Sequence, residues 1–385
     1  MILGRLLVRP FVALLRPPGE RRRLHEPDLW LLATLLVLAM FGTVMVFSAS
    51  SVISMVEFNT PFHYFERQLL YAAAGLGIMA LAARVDYHVY RRYVLHGVLA
   101  SYVLLAVVLI VGPEIGGSRR WIPLGIVNFQ PSELAKLAVV NFTAAYCSSF
   151  RGNITSFTKG VVPPVLVAGI AFGLIMLEPD FGTAMAVALG ALVVLFAAGV
   201  RIWHLAGMAL ASSPLVAALI YLEPYRMRRI MAFLDPWADP QGSGFHTIQA
   251  LYALGCGRLF GVGLGQSRQK LWYLPEEHTD FIFAIIGEEL GLAGAVGVVA
   301  LIFLFTWRGY RAAMHAPDTF SSLLAAGLTG MIALQAVVNI GVVTAMLPIT
   351  GIPLPFISYG GSSLVFSLAA AGIVLNVSRY GRSPG

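Results

Sequence analysis

Apolar residues in this chain neither alternate nor repeat along one helical face; they run on for bilayer lengths. Ten runs stand out, at roughly 29–49, 67–84, 94–112, 134–150, 160–178, 182–200, 203–222, 281–305, 320–344 and 358–377, each near the ~20 residues a helix needs to cross a hydrocarbon core. Backbone inside lipid must satisfy its own hydrogen bonds, which favours helices for runs of this length. The pattern therefore predicts an all-α polytopic membrane protein with ten transmembrane helices. The fourth run is the shortest and the most polar.

Most connections are short. The stretch from Glu223 to Asp280 is far longer than a connection requires and is expected to be a large extracytoplasmic loop between helices 7 and 8. It carries Trp237, Phe245, Tyr252, Phe260, Trp272 and Tyr273, so it is expected to fold against the membrane face. Its glycines at 255, 257, 261, 263 and 265 imply tight turns or close backbone approach.

Composition agrees with the pattern. Of 385 residues, 58% are hydrophobic and 12% charged, against about 25% charged in a soluble domain. The net charge of +7 does not imply nucleic acid, because much of it sits at span ends. With the N-terminus in the cytoplasm, 16 of the 26 Lys and Arg residues fall inside and most acids outside. The bias places both termini in the cytoplasm. The expected organisation is a basic N-terminal segment (1–28), a membrane unit (29–378, outer loop 223–280) and a short tail (379–385). The first 23 residues have apolar positions broken by arginines; they suit either a surface-lying amphipathic segment or a basic tail. Cys147 and Cys256 fall on opposite sides of the membrane, which excludes a disulfide between them.

Four outward-facing segments hold most of the unusual chemistry. In Gly116–Lys136, Arg119 and Arg120 lie where the inside bias disfavours arginine, and arginine suits phosphate oxygens. Glu133 and Lys136 share a helix face as an ion pair or as substrate contacts, with Ser132 near the helix cap. Glu178–Thr183 forms a turn with Asp180 as a helix cap or a cavity carboxylate. The long loop supplies Arg226, Arg228, Arg229, Arg268 and Lys270, which suit a diphosphate or a lipid headgroup. Pro348–Ser363 interrupts apolar sequence with prolines and glycines, as a re-entrant segment or cavity wall or as an outer loop. Within spans, Asn141, Gln335 and Asn339 are expected to make interhelical hydrogen bonds.

These segments surround Leu274–Gly291, where acidic and polar residues run straight into an apolar helix. Ionisable groups there suggest function. Asp280 is the candidate general base beside bound diphosphate, with helix capping and metal binding as alternatives; the metal would be divalent, Mg or Mn. Glu288 and Glu289 lie deeper and read as helix-packing partners.

In order along residues 28–378, GSRRWIPLG, NFQPSELAKL, EPDFGTA, DPQGSGFHTIQAL, GVGLGQSRQKLWYLPEEHTDFIFAIIGEELG and PLPFISYGGSSL resemble the SEDS family (shape, elongation, division and sporulation), most of all its division and sporulation branch. The resemblance implies a ten-helix glycosyltransferase of the bacterial cytoplasmic membrane with its active site facing outward. Its substrates would be lipid II and undecaprenyl-linked glycan, and its partner a class B penicillin-binding protein. It places the family's essential aspartate on Asp280, its Glu–Lys pair on Glu133 and Lys136, and its arginine before tryptophan on Arg120. A lipid II flippase, an elongation-type polymerase and a non-catalytic scaffold stay open as alternatives.

Overall fold

The computed structural model describes residues 25–380 except 116, 126, 151–153, 155, 272, 273 and 275. The basic segment up to residue 24 and the tail from residue 381 lie outside the described residues. Long helices dominate: α1 (Leu29–Phe58), α2 (His63–Ala82), α3 (Tyr87–Arg92), α4 (Val94–Val111), α5 (Pro131–Ser149), α6 (Val162–Leu177), α7 (Phe181–Ala197), α8 (Ile202–Tyr221), α9 (Pro224–Leu234), α10 (Phe245–Gly257), α11 (Ile282–Met314), α12 (Thr319–Val343) and α13 (Gly361–Tyr380). Among the described residues, seven helices are long and apolar enough to cross a membrane by length and composition.

The described residues are almost entirely helix and irregular chain, as the all-α expectation requires, with one small exception. A two-stranded antiparallel hairpin pairs β1 (Ile122–Leu124) with β2 (Val127–Phe129). Gly125 has φ +79°, a left-handed turn conformation that favours glycine. The hairpin delivers the chain to α5, where Pro131 fits the first turn because its missing N–H would be unpaired there anyway.

Aspartates fix helix starts on the side of the bundle remote from residue 280. Asp28 accepts from the Trp30 and Leu31 amides and caps α1. The same carboxylate pairs with Arg308 on α11, and the Asp28 amide donates to Ser378 Oγ on α13. The ends of three helices are thereby tied together. Asp318 caps α12 and accepts from the Tyr87 hydroxyl.

The core centres on α12, which packs against α5, α7, α11 and α13. Small residues permit close packing. A Cβ on Gly327 would lie 2.3 Å from Val194 and one on Gly309 would lie 2.4 Å from Thr329. By contrast α8 buries none of its residues and meets the bundle only at its edge.

Two connecting segments reach well along the long apolar helices. In the first, residues 348–360, Leu354, Phe356 and Ile357 are buried. The segment packs on Gly42, whose Cβ would lie 2.6 Å from Ile357 Cα. Gly42 is about 20 Å along the 30-residue α1 at 1.5 Å per residue, so this stretch packs against the middle of that helix.

The second is the long loop, which penetrates further than expected. Helix α10 packs along the first turns of α11. Helix α11 breaks at Gly291 (φ 68°, ψ −165°), and loop backbone fills the break. Val262 N and Gly263 N donate to Glu288 O and Glu289 O, and Leu292 N and Ala293 N donate to Arg258 O and Leu259 O. Backbone meets backbone here because glycine permits it. A Cβ on Gly257 would lie 1.8 Å from Gly287 O.

Candidate active site

Residues 276–281 form a tight approach to α11. The amides of Thr279 and Phe281 donate to Glu276 O, and Thr279 Oγ1 donates to a Glu276 carboxylate oxygen at 2.7 Å. Phe281 occupies the N-cap of α11 and gives no side-chain bond. Asp280 therefore does not cap this helix. Its half-buried carboxylate instead faces the 348–360 segment, with Oδ2 3.5 Å from the position of a Cβ on Gly351. Burial, then the nearby Glu276, pushes its pKa up to about 7. Arg229 and Arg120 draw it down and Asp180 adds to the rise. A carboxylate with such a pKa suits proton abstraction near neutrality.

Three other segments converge on this carboxylate. Arg120, just before the hairpin, donates to Glu178 O (3.2 Å) and to Pro179 O (2.5 Å) and lies 3.8 Å from Asp180. Asp180 caps α7 by accepting from Thr183 N and Thr183 Oγ1; it thus fills the capping role and faces the cluster as well. Arg229, on α9, donates to Ile349 O (3.0 Å) and to Tyr225 OH. Both guanidiniums are held largely by neutral acceptors, which fixes their geometry and leaves positive charge for an anion. Ser362 Oγ accepts from Gln130 N and donates to Asn128 O, joining the hairpin to the start of α13.

Beside this cluster lies a carboxyl group in an unusual state. Glu178 is fully buried and neither of its carboxyl oxygens has a hydrogen-bond partner.

The remaining expected cations are placed less uniformly. Lys136 and Glu133 form a buried ion pair at 2.8 Å. Arg226 donates to Leu219 O and lies over the Phe181 ring. Arg119 is exposed, 3.9 Å from Glu114. Arg228 and Arg268 are also exposed.

Lys270 departs from expectation. Instead of facing an outer ligand, its ammonium is buried and donates to Glu289 Oε1 (2.9 Å) and Ser48 O (3.1 Å). The loop carries it down beside α1 because the glycine contacts at Gly291 admit the loop to that depth. Glu288 and Glu289 also do more than pack. Glu288 accepts from Ser267 Oγ and the amides of Arg268 and Gln269, and Glu289 accepts from Ser48 Oγ. Ser132 is not the α5 cap either: Gln130 holds that position, and Ser132 Oγ is buried without a partner. His278 is packed against the rings of Tyr64 and Tyr359.

Sequence reasoning missed Asn339 and Ser358 as neighbours of Asp280. Asn339 Nδ2 donates to Asp280 O at 2.7 Å and Ser358 Oγ to Thr279 O at 2.6 Å. The available signal was an asparagine within an apolar span. Among the described residues no group of three or more His, Cys, Asp or Glu side chains is placed to hold a metal ion. A divalent cation at Asp280 would take most of its oxygen ligands from substrate and water.

A family profile described as cell cycle protein, covering FtsW, RodA and SpoVE, matches residues 29–383. Stage V sporulation protein E of Bacillus subtilis (strain 168) is 47% identical over 359 residues, covering 93% of this chain and 98% of that protein. A probable peptidoglycan glycosyltransferase FtsW of Geobacter sp. (strain M18) is 43% identical over the same shares. Among solved structures, one described as showing structural coordination of polymerization and crosslinking by a peptidoglycan synthase complex has a TM-score of 0.76. It is 32% identical and covers 93% of this chain and 99% of that one. The crystal structure of Thermus thermophilus rod shape determining protein RodA has a TM-score of 0.68 at 30% identity, covering 92% of this chain and 98% of that one.

Proposed function

The chain belongs to the FtsW–RodA–SpoVE family of cell cycle proteins, and from that premise we propose that it is a peptidoglycan glycosyltransferase of the division and sporulation branch. It is a multi-pass protein of the bacterial inner membrane that polymerises lipid II into glycan strands. The observation that carries this reading is the uncapped Asp280 carboxylate in the field of Arg120 and Arg229, each fixed by a different outer segment.

The chemistry follows from that arrangement. The 4-hydroxyl of an acceptor N-acetylglucosamine attacks C1 of the N-acetylmuramic acid on the lipid-linked donor strand. Asp280 takes the hydroxyl proton as the O4–C1 bond forms. The bond from C1 to the phosphate oxygen breaks, and undecaprenyl diphosphate leaves with the electron pair. Arg120 and Arg229 stabilise its growing charge, with Arg226, Arg228 and Arg268 as outer contacts for the diphosphate or for lipid headgroups. Single displacement converts the α-linked donor into a β-1,4 bond.

The finer topology belongs to the same proposal. Each of the ten apolar runs overlaps a helix, which supports ten crossings. The tie among Asp28, Arg308 and Ser378 supports both termini on one side, the cytoplasmic one, with Asp280 opposite. A class B penicillin-binding protein is the proposed partner, in keeping with the synthase complex to which this fold is similar. The test is glycan synthesis from labelled lipid II by the purified protein, with and without such a transpeptidase. Headgroup translocation in liposomes without polymer would favour a flippase.

A further inference from the structure

Three consecutive carbonyls just ahead of α11 are each taken by a donor from the C-terminal part of the chain. Tyr359 N donates to His278 O at 2.9 Å, Ser358 Oγ to Thr279 O at 2.6 Å, and Asn339 Nδ2 to Asp280 O at 2.7 Å. Helix α11 has no side-chain cap of its own. What holds the Asp280 main chain is therefore this latch together with the Glu276 turn.

Asn339 is built for the task. It is 1% exposed on α12, and its amide nitrogen also donates to Ile352 O at 2.9 Å. One buried side chain thus bridges Asp280 to the 348–360 segment, and neither partner is a transmembrane helix. Ser358 is similarly committed, since its hydroxyl accepts from Leu354 N at 2.8 Å while it donates to Thr279 O. An ordinary interhelical asparagine would join two spans; this one joins two loops that flank the reacting carboxylate.

We propose that Asn339 and Ser358 are positioning residues for glycosyl transfer, holding the Asp280 main chain so that its carboxylate meets the acceptor hydroxyl. The inference rests on the reading of Asp280 as the base. Neither side chain touches substrate; both act through the aspartate. Misplacing a reacting group by about 1 Å costs on the order of 100-fold in rate, and Asn339 holds the carbonyl of the reacting residue itself.

The experiment measures kcat, KM for lipid II, the pH–rate profile and Tm on the purified full-length chain with its transpeptidase. Asn339→Leu is expected to lower kcat by about 10- to 100-fold with KM within about threefold. The acid limb of its profile should move, because the carboxylate shifts relative to Glu276, Asp180, Arg120 and Arg229. Ser358→Ala, a milder change, should lower kcat by about three- to tenfold. Asn339→His retains a donor and should recover part of the loss. Unchanged kcat in both Asn339→Leu and Ser358→Ala overturns the inference. So does a loss that only tracks the amount of folded protein while the pH midpoint stays put. If Asn339→Leu does not fold, Ser358→Ala decides by the same criteria. Asp280→Asn separates the two claims. If it polymerises normally the base assignment fails; if it is inactive while both latch variants match the unmodified chain, only the latch fails.

Discussion

Removing the Lys270 ammonium should destabilise the protein strongly, and removing its partner's charge as well should restore most of the loss. The Lys270 and Glu289 side chains are 4% and 0% exposed, and they meet at 2.9 Å. In Lys270→Met the stem volume is kept and the charge is lost. Glu289 then retains only the Ser48 hydroxyl at 2.5 Å and the Ser267 amide at 3.4 Å. An uncompensated buried carboxylate of this kind costs about 3–5 kcal/mol, and at 0% exposure the Glu289 side chain has no surface on which water could replace the ammonium. Lys270→Met/Glu289→Gln removes both charges and should return to within about 1–2 kcal/mol of the unmodified protein, since neutral replacement of a whole buried pair is often nearly free of cost. Thermal unfolding of the detergent-solubilised protein measures both, and the double-mutant cycle isolates the pair. Arg268→Ala is the control, because an exposed neighbour should change stability by less than about 0.5 kcal/mol. A single variant as stable as the unmodified protein, or a double variant as unstable as the single, would refute the buried-pair reasoning.

Other outcomes follow from the same geometry. Gly291→Ala should destabilise by roughly 3 kcal/mol or more: its φ is +68° and a Cβ would lie 2.3 Å from Gly261 N; an unshifted Tm would contradict the backbone joint. Polymerisation should rise with pH through about 7, since Asp280 must be ionised to accept a proton. Arg229→Met removes a charge that lowers that pKa, so it should move the midpoint upward; a downward move would be inconsistent with the cluster.

Helix positions and the clustering of charged segments around residue 280 were legible because lipid imposes one rule on sequence: long apolar runs are helices, and charge inside them needs a reason. The inside bias of Lys and Arg marked Arg120, and the lipid rule marked Asp280 and the Glu133–Lys136 pair as candidates. It also marked Pro348–Ser363, whose broken backbone packs against Gly42. It failed where depth depends on tertiary contact. Lys270 read as an outer cation because nothing in its own stretch shows that Gly257, Gly261 and Gly291 let the loop sink to Ser48. Glu288 and Glu289 looked like packing residues for the same reason. Asn339 read as interhelical, since an asparagine in an apolar run does not announce that its acceptors are the carbonyls of Asp280 and Ile352. The hairpin escaped notice because two three-residue strands leave no periodic signal.

The central claim is that Asp280 is the base of a lipid II polymerase. The most direct measurement is gel-resolved product from labelled lipid II, made by the purified protein with its transpeptidase, in the unmodified chain and in Asp280→Asn at equal folded concentration. The account predicts glycan polymer from the first and loss of at least about 100-fold in rate in the second, with Tm preserved. Full activity in Asp280→Asn would contradict it.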